Sequence, residues 1–83
     1  MEIKTTDLEK YFYVVNCWDY IMGRTIKGIR KVRLIGISYM YKEQPHYLIE
    51  FSAGFRLGTF EDMLYRTKEE AEQRLKEIEN VKN

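Results

Sequence analysis

Eighty-three residues, 45% of them hydrophobic and 14% aromatic, make one domain over residues 1–83, near the lower limit for folding on a single apolar core. One cysteine excludes an internal disulfide, and no apolar run approaches the roughly 20 residues that cross a bilayer as a helix. The formal net charge of +1 excludes little, because the charges are segregated along the chain.

Residues 1–20 hold Glu2, Asp7, Glu9 and Asp19 against Lys4 and Lys10. Residues 24–33 hold Arg24, Lys27, Arg30, Lys31 and Arg33 with no acid, whereas residues 61–79 are acidic again. The opening MEIKTTDLEK has no hydrophobic segment of the signal-peptide kind, so a soluble cytoplasmic protein is expected.

Tyr11–Trp18, YFYVVNCW, is rich in aromatic and β-branched residues and too short for a typical helix. It reads as a strand covered on both faces for part of its length, with Asp19–Thr25 as the connection. A second extended segment runs from about Lys27 to Tyr41, and its pattern slips. Val32 and Leu34 oppose Lys31 and Arg33, yet around Gly36 the large apolar Ile35, Ile37 and Tyr39 fall on the basic face. A one-residue change of phase at a glycine predicts a β-bulge or bend there.

Lys42–Pro45 predicts a turn. His46–Ala53 alternates, with Tyr47, Ile49, Phe51 and Ala53 inward, His46, Glu50 and Ser52 outward, and Leu48 as an exception. Gly54 and Gly58 punctuate a short strand around Phe55–Leu57, and a further extended piece is expected around Met63–Tyr65. The body thus occupies about residues 10–66. Thr67-Lys68-Glu69-Glu70 is a capping-box pattern, and Ala71, Leu75 and Ile78 place a narrow apolar stripe on a helix over 68–81. The expected architecture is α+β and mostly β: a small, SH3-like, half-open antiparallel barrel of four or five strands with one C-terminal helix. A curved sheet with one helix packed across it is the alternative.

The phrase Leu64-Tyr65, then Thr67–Glu72 and Leu75, resembles the closing helix of short, uncharacterised domains of low-GC Gram-positive bacteria and their phages and plasmids. The upstream IRKVRLIGISY resembles their long central strand. The resemblance implies a mobile-element accessory protein and transfers no catalytic residue.

Catalysis finds little purchase in the sequence. A nucleophilic triad needs a histidine base, and the single His46 lies beside a Pro turn on the outward side of its strand. Cys17 reads as packing. One His and one Cys assemble no usual transition-metal site, and no metal or other cofactor is expected. Gly23 and Gly28 stand at P-loop spacing, but Ile29-Arg30 follows where Lys-Ser/Thr is required. The expectation is therefore a non-catalytic binding module.

Two partner classes follow. In the first, Arg24, Lys27, Arg30, Lys31 and Arg33 contact the phosphates of a nucleic acid or nucleotide, while Tyr39, Tyr41 and His46, with Tyr47 a further candidate, supply stacking. On a regular strand, Lys27, Lys31 and Arg33 would share one face and Arg30 the other. The same cations could instead keep the strand soluble or pair internally with Glu2, Asp7, Glu9 or the helix. In the second class, the acids Glu61, Asp62, Glu69 and Glu72 form a phosphate-mimicking surface for a bacterial nucleic-acid-handling protein, as an inhibitor of a host defence complex of the anti-CRISPR kind would need. A homodimer through an exposed strand edge is a third possibility, and a membrane partner is not expected.

Overall fold

The computed structural model describes residues 2–40 and 43–81. A short 3-10 turn, Thr5–Asp7, precedes four strands: β1 (Tyr11–Asp19), β2 (Arg24–Ser38), β3 (His46–Phe51) and β4 (Arg56–Thr59). A second 3-10 turn, Glu61–Met63, leads to the helix α1 (Lys68–Val81). All neighbouring strands are antiparallel in the order β1-β2-β3-β4, and the sheet does not close on itself. The half-open α+β arrangement read from the sequence is therefore the one adopted. No helix of the described residues is long and apolar enough to cross a membrane.

The core follows the alternation of the strands. Phe12 and Val14 of β1, Val32 and Leu34 of β2, Tyr47, Ile49 and Phe51 of β3, and Leu57 of β4 form one buried cluster, joined by Ile3, Cys17, Ile26 and Leu64. Val15 and Ala71 are buried outside that cluster. With α1 lying against β1 and β2, they mark a second, thinner layer in which Leu75 and Ile78 are half-buried. β1 is thus covered on both faces, as its composition suggests. Ala53, expected inward, is exposed because β3 ends at Phe51.

Two irregularities bend the long β2. Between Leu34 and Gly36 one extra β2 residue, Ile35, opposes no β3 partner, and this returns Ile37 to the core side opposite Tyr47. The slip read at Gly36 is that bulge. The second was not legible: Lys27 and Gly28 together oppose the single Asn16 of β1. Asn16 takes a left-handed φ of 47°, Gly28 one of 84°, and the Asn16 Oδ1 accepts the Gly28 N–H at 2.8 Å. Asn and Gly tolerate those dihedrals at little cost.

The strand β2 also starts earlier than expected, at Arg24. The buried Asp19 carboxylate accepts the Ile21 and Met22 N–H groups, both at 3.1 Å, and Gly23 closes the turn by donating to the Asp19 carbonyl at 2.8 Å. Those backbone donors, Met22 foremost, hold the Asp19 carboxyl below the usual carboxylate range, with Arg24 assisting.

Both sheet edges are partly covered. Tyr13 and Tyr65 exchange N–H···O bonds at 2.8 and 2.9 Å along β1, and the Gly58 N–H of β4 donates to the Tyr20 hydroxyl at 3.1 Å. The expected extended piece at Met63–Tyr65 is thus reduced to one bridge, because Glu61–Met63 turns as a 3-10 element. At the start of α1 the Thr67 hydroxyl accepts the Glu70 N–H at 3.2 Å and donates to the Glu70 carboxylate at 3.1 Å. The capping pair forms, although the carboxylate meets the hydroxyl instead of the backbone. Thr67→Ala should lower the unfolding free energy by about 1 kcal/mol, read from the midpoint of a urea transition followed by circular dichroism.

Candidate anion-binding site

The ladder between β2 and β3 begins only at Val32, opposite Phe51. Residues 24–31 of β2 therefore have β1 on one side and no strand neighbour on the other. The chain after Phe51 does not continue alongside them, because it folds into a tight turn. The Gly54 N–H donates to the Phe51 carbonyl at 2.8 Å, with Gly54 at φ 95°, and the Phe51 N–H donates to the Phe55 carbonyl at 2.9 Å. The turn lays the Phe55 ring on that of Phe51, with centroids 4.4 Å apart and planes within 11° of parallel. A cleft of about 390 Å³ is left between this turn and the first half of β2, lined by Arg24, Ile26, Lys27, Arg30, Phe51 and Phe55 among others.

Three of the five sequence-predicted cations meet there. Arg30 lies on the face of β2 that carries Val32 and Leu34, but beyond the end of β3 that face is no longer covered. Lys27 borders the same cleft, at the bulge where it and Gly28 together oppose Asn16. Arg24 enters from the hairpin, its Nε 3.3 Å from the Asp19 carboxylate. Among the described residues, neither Lys27 nor Arg30 forms an ion pair.

The other two cations point elsewhere. Lys31 stands over the Tyr11 ring, 4.7 Å from its centroid, beside a separate hollow on the opposite face. Arg33 is held between Glu9 at 2.6 Å and Glu50 at 2.8 Å, and Glu50 also accepts from Arg56 at 3.1 Å. Arg33 followed by Arg56 pulls the Glu50 carboxyl below its ordinary range, and Glu50 foremost raises Arg33 further. Arg33 is thus spent on internal pairing.

Of the aromatic residues expected beside the cations, the described ones lie toward the other end of β2. Tyr39 is exposed just past Ser38, Tyr41 falls outside the described residues, as does Lys42 of the predicted turn, and Tyr47 is buried in the core. His46 packs against Phe60, with ring centroids 5.3 Å apart, and covers Gly58 so closely that a Cβ there would overlap the imidazole. The aromatic that does reach the cleft, Phe55, carried no sequence signal beyond its glycine neighbour, since only the turn at Gly54 aims it.

The acidic residues are less concentrated than their sequence positions suggest. Glu61 accepts the Ile3 N–H at 3.1 Å, and Asp62 borders a hollow with Val15, Met63 and Arg74. Glu69 lies in a shallow groove of α1 with Tyr65, Glu70, Gln73 and Glu77, whereas Glu72 is exposed outside it. No group of three or more metal-ligating side chains occurs among the described residues. Cys17 is buried, and that burial pushes its thiol up, with Asp19 adding to the shift. A further feature went unread in the sequence: the β1–β2 hairpin exposes Trp18 (55%), Ile21 (66%) and Met22 (70%). No protein-family model, curated protein or solved structure matches the chain.

Proposed function

We propose that the protein is a small non-catalytic binding module that takes an anionic partner, a nucleic acid or nucleotide, in the cleft between β2 and the β3–β4 turn. One observation carries the reading: Lys27 and Arg30 converge on a single cleft without carboxylate partners among the described residues, next to a half-exposed aromatic ring. Surface cations with nearby acids are usually neutralised by them, as Arg33 is, so two left unpaired in one concavity form a local excess of positive potential. The resemblance of the helix and central strand to mobile-element domains agrees with an accessory protein working in the cytoplasm on nucleic acid.

The test is a salt titration of binding to a labelled oligonucleotide. Two phosphate contacts, from Lys27 and Arg30, on a single strand give a log–log slope of roughly −1.4, a loss of roughly sevenfold between 50 and 200 mM salt. Affinity that is absent, or indifferent to salt, defeats the proposal.

A second reading has its own support. The exposed Trp18, Ile21 and Met22 on a hairpin braced by Asp19 are the kind of aromatic and apolar anchors that protein interfaces centre on. With the acidic groove of α1, they suit an inhibitor of a nucleic-acid-handling complex. Capture from bacterial lysate that survives nuclease and disappears in Ile21→Ser/Met22→Ser favours this reading; capture abolished by nuclease favours the first.

A further inference from the structure

We infer that the cleft selects single-stranded over double-stranded nucleic acid, by stacking one base on the outer face of Phe55 while Lys27 and Arg30 hold the flanking phosphates. This rests on the anionic-partner reading and adds a specific subsite to it. Phe55 is 36% exposed, and its partner ring Phe51 is buried. One face of Phe55 is therefore occupied by Phe51 and the other is available to the cleft. The two backbone bonds of the Ser52–Phe55 turn and the stack itself hold the ring in place before any ligand arrives. A platform ordered in advance loses little freedom on binding.

Size points the same way. An open cleft of about 390 Å³ has room for one or two splayed nucleotides. Bases stacked within a duplex cannot reach the Phe55 ring, whereas splayed bases of a single strand can, beside a positively charged track for the backbone.

The unpaired edge of residues 24–31 raises a competing occupant, an acidic peptide added as a fifth strand. The bulge opposes it. Gly28 is at φ 84° and its N–H is turned to Asn16 Oδ1, so the repeat of donors and acceptors along that edge is interrupted near its middle. A second copy of the chain would place Arg24, Lys27, Arg30 and Lys31 against themselves, and like charges directly opposite are unfavourable.

The experiment uses fluorescence anisotropy with the full chain and four probes: an oligothymidylate of about eight nucleotides, its abasic counterpart with the same phosphates, the matching duplex, and a poly-glutamate peptide. The expected order is oligothymidylate roughly tenfold or more tighter than the abasic strand, with the duplex weaker still. Phe55→Leu should bring the oligothymidylate down to the abasic level while changing abasic binding less than about twofold, and Phe55→Tyr should keep the wild-type preference. Lys27→Glu should weaken both strands together. Equal affinity for base-bearing and abasic strands, or a preference for duplex, overturns the single-strand inference while leaving a salt-dependent anion site standing. Tighter binding of the poly-glutamate peptide assigns the edge to a peptide and overturns it as well. Binding of none of the four overturns the underlying reading.

Discussion

Asp7→Ala is expected to remove about 2–3 kcal/mol of stability, a substantial part of the roughly 4–12 kcal/mol ordinary for a domain of this size. Asp7 is buried, and its carboxylate accepts four contacts. The Lys4 N–H lies at 2.9 Å, the two Arg66 guanidinium nitrogens at 3.1 and 3.0 Å, and the Lys10 ammonium at 3.7 Å. Arg66 also donates to the Glu2 carbonyl at 2.7 Å and lies over the Phe12 ring, 5.2 Å from its centroid. This one side chain therefore ties the N-terminal segment to the residue that leads into α1. Its removal leaves a backbone donor and a guanidinium fork without their acceptor; Arg66 is partly exposed and can rehydrate, which keeps the loss below that of a fully buried pair. A fall in melting temperature of about 10–20 °C is the corresponding observation, and a shift of only one or two degrees would mean the tie is dispensable.

The same group makes stability depend on pH, with a definite sign. Bonds from Arg66 first, then from the Lys4 backbone, hold the Asp7 carboxyl far below its ordinary 3.8. The folded chain thus binds fewer protons here than the unfolded chain as pH falls below 3.8. The stabilisation is complete above that value and is lost progressively on acidification through the folded-state value. Asp19 and Glu50 are lowered too and add to the same acid arm. Asp7→Asn removes the charge, so the stability gap between it and the wild type should narrow as pH drops below 3.8. A gap constant with pH would show that the ionised form is not what matters.

The largest expected effect on binding comes from Lys27→Glu/Arg30→Glu. Each reversal replaces an attraction by a repulsion, and at a screened, solvent-facing site two such changes amount to roughly 2–3 kcal/mol, or about 30–150-fold in affinity for an oligonucleotide. Lys31→Glu serves as the comparison. It changes the net charge in the same direction, but its side chain stands over Tyr11 on the opposite face, so a change of about threefold or less is expected. If Lys31→Glu weakens binding as much per charge as the double variant, the effect is the general field of the molecule and the cleft has no special part in it. The fold tolerates all three changes, since none of these cations is buried.

Much of the fold was legible because the relevant signals are short-ranged. Thr67 through Glu70 specify a helix start that can be read without knowing what the helix packs on. The alternation of Tyr47, Ile49 and Phe51 marks a strand with one buried face. The slip at Gly36 announced a bulge because large apolar residues stand on both sides of it to show the change of phase. No such contrast surrounds Gly28: Lys27, Ile29 and Arg30 do not alternate clearly, and the partner that stabilises the bulge, Asn16, lies 12 positions away.

The candidate site divides along the same line. From the sequence alone come the acid-free basic stretch of residues 24–33, the strand that carries it, the aromatic supply and the closing helix. These follow from backbone geometry and side-chain periodicity, which each segment carries within itself. Which cations remain available was settled only in three dimensions. Arg33 is claimed by Glu9 and Glu50, 24 and 17 positions away, while Lys27 and Arg30 border one cleft, and the Gly54 turn delivers Phe55 instead of Tyr39 or His46. Pairing between distant side chains depends on strand register and on where each strand stops, and those are properties of the assembled sheet.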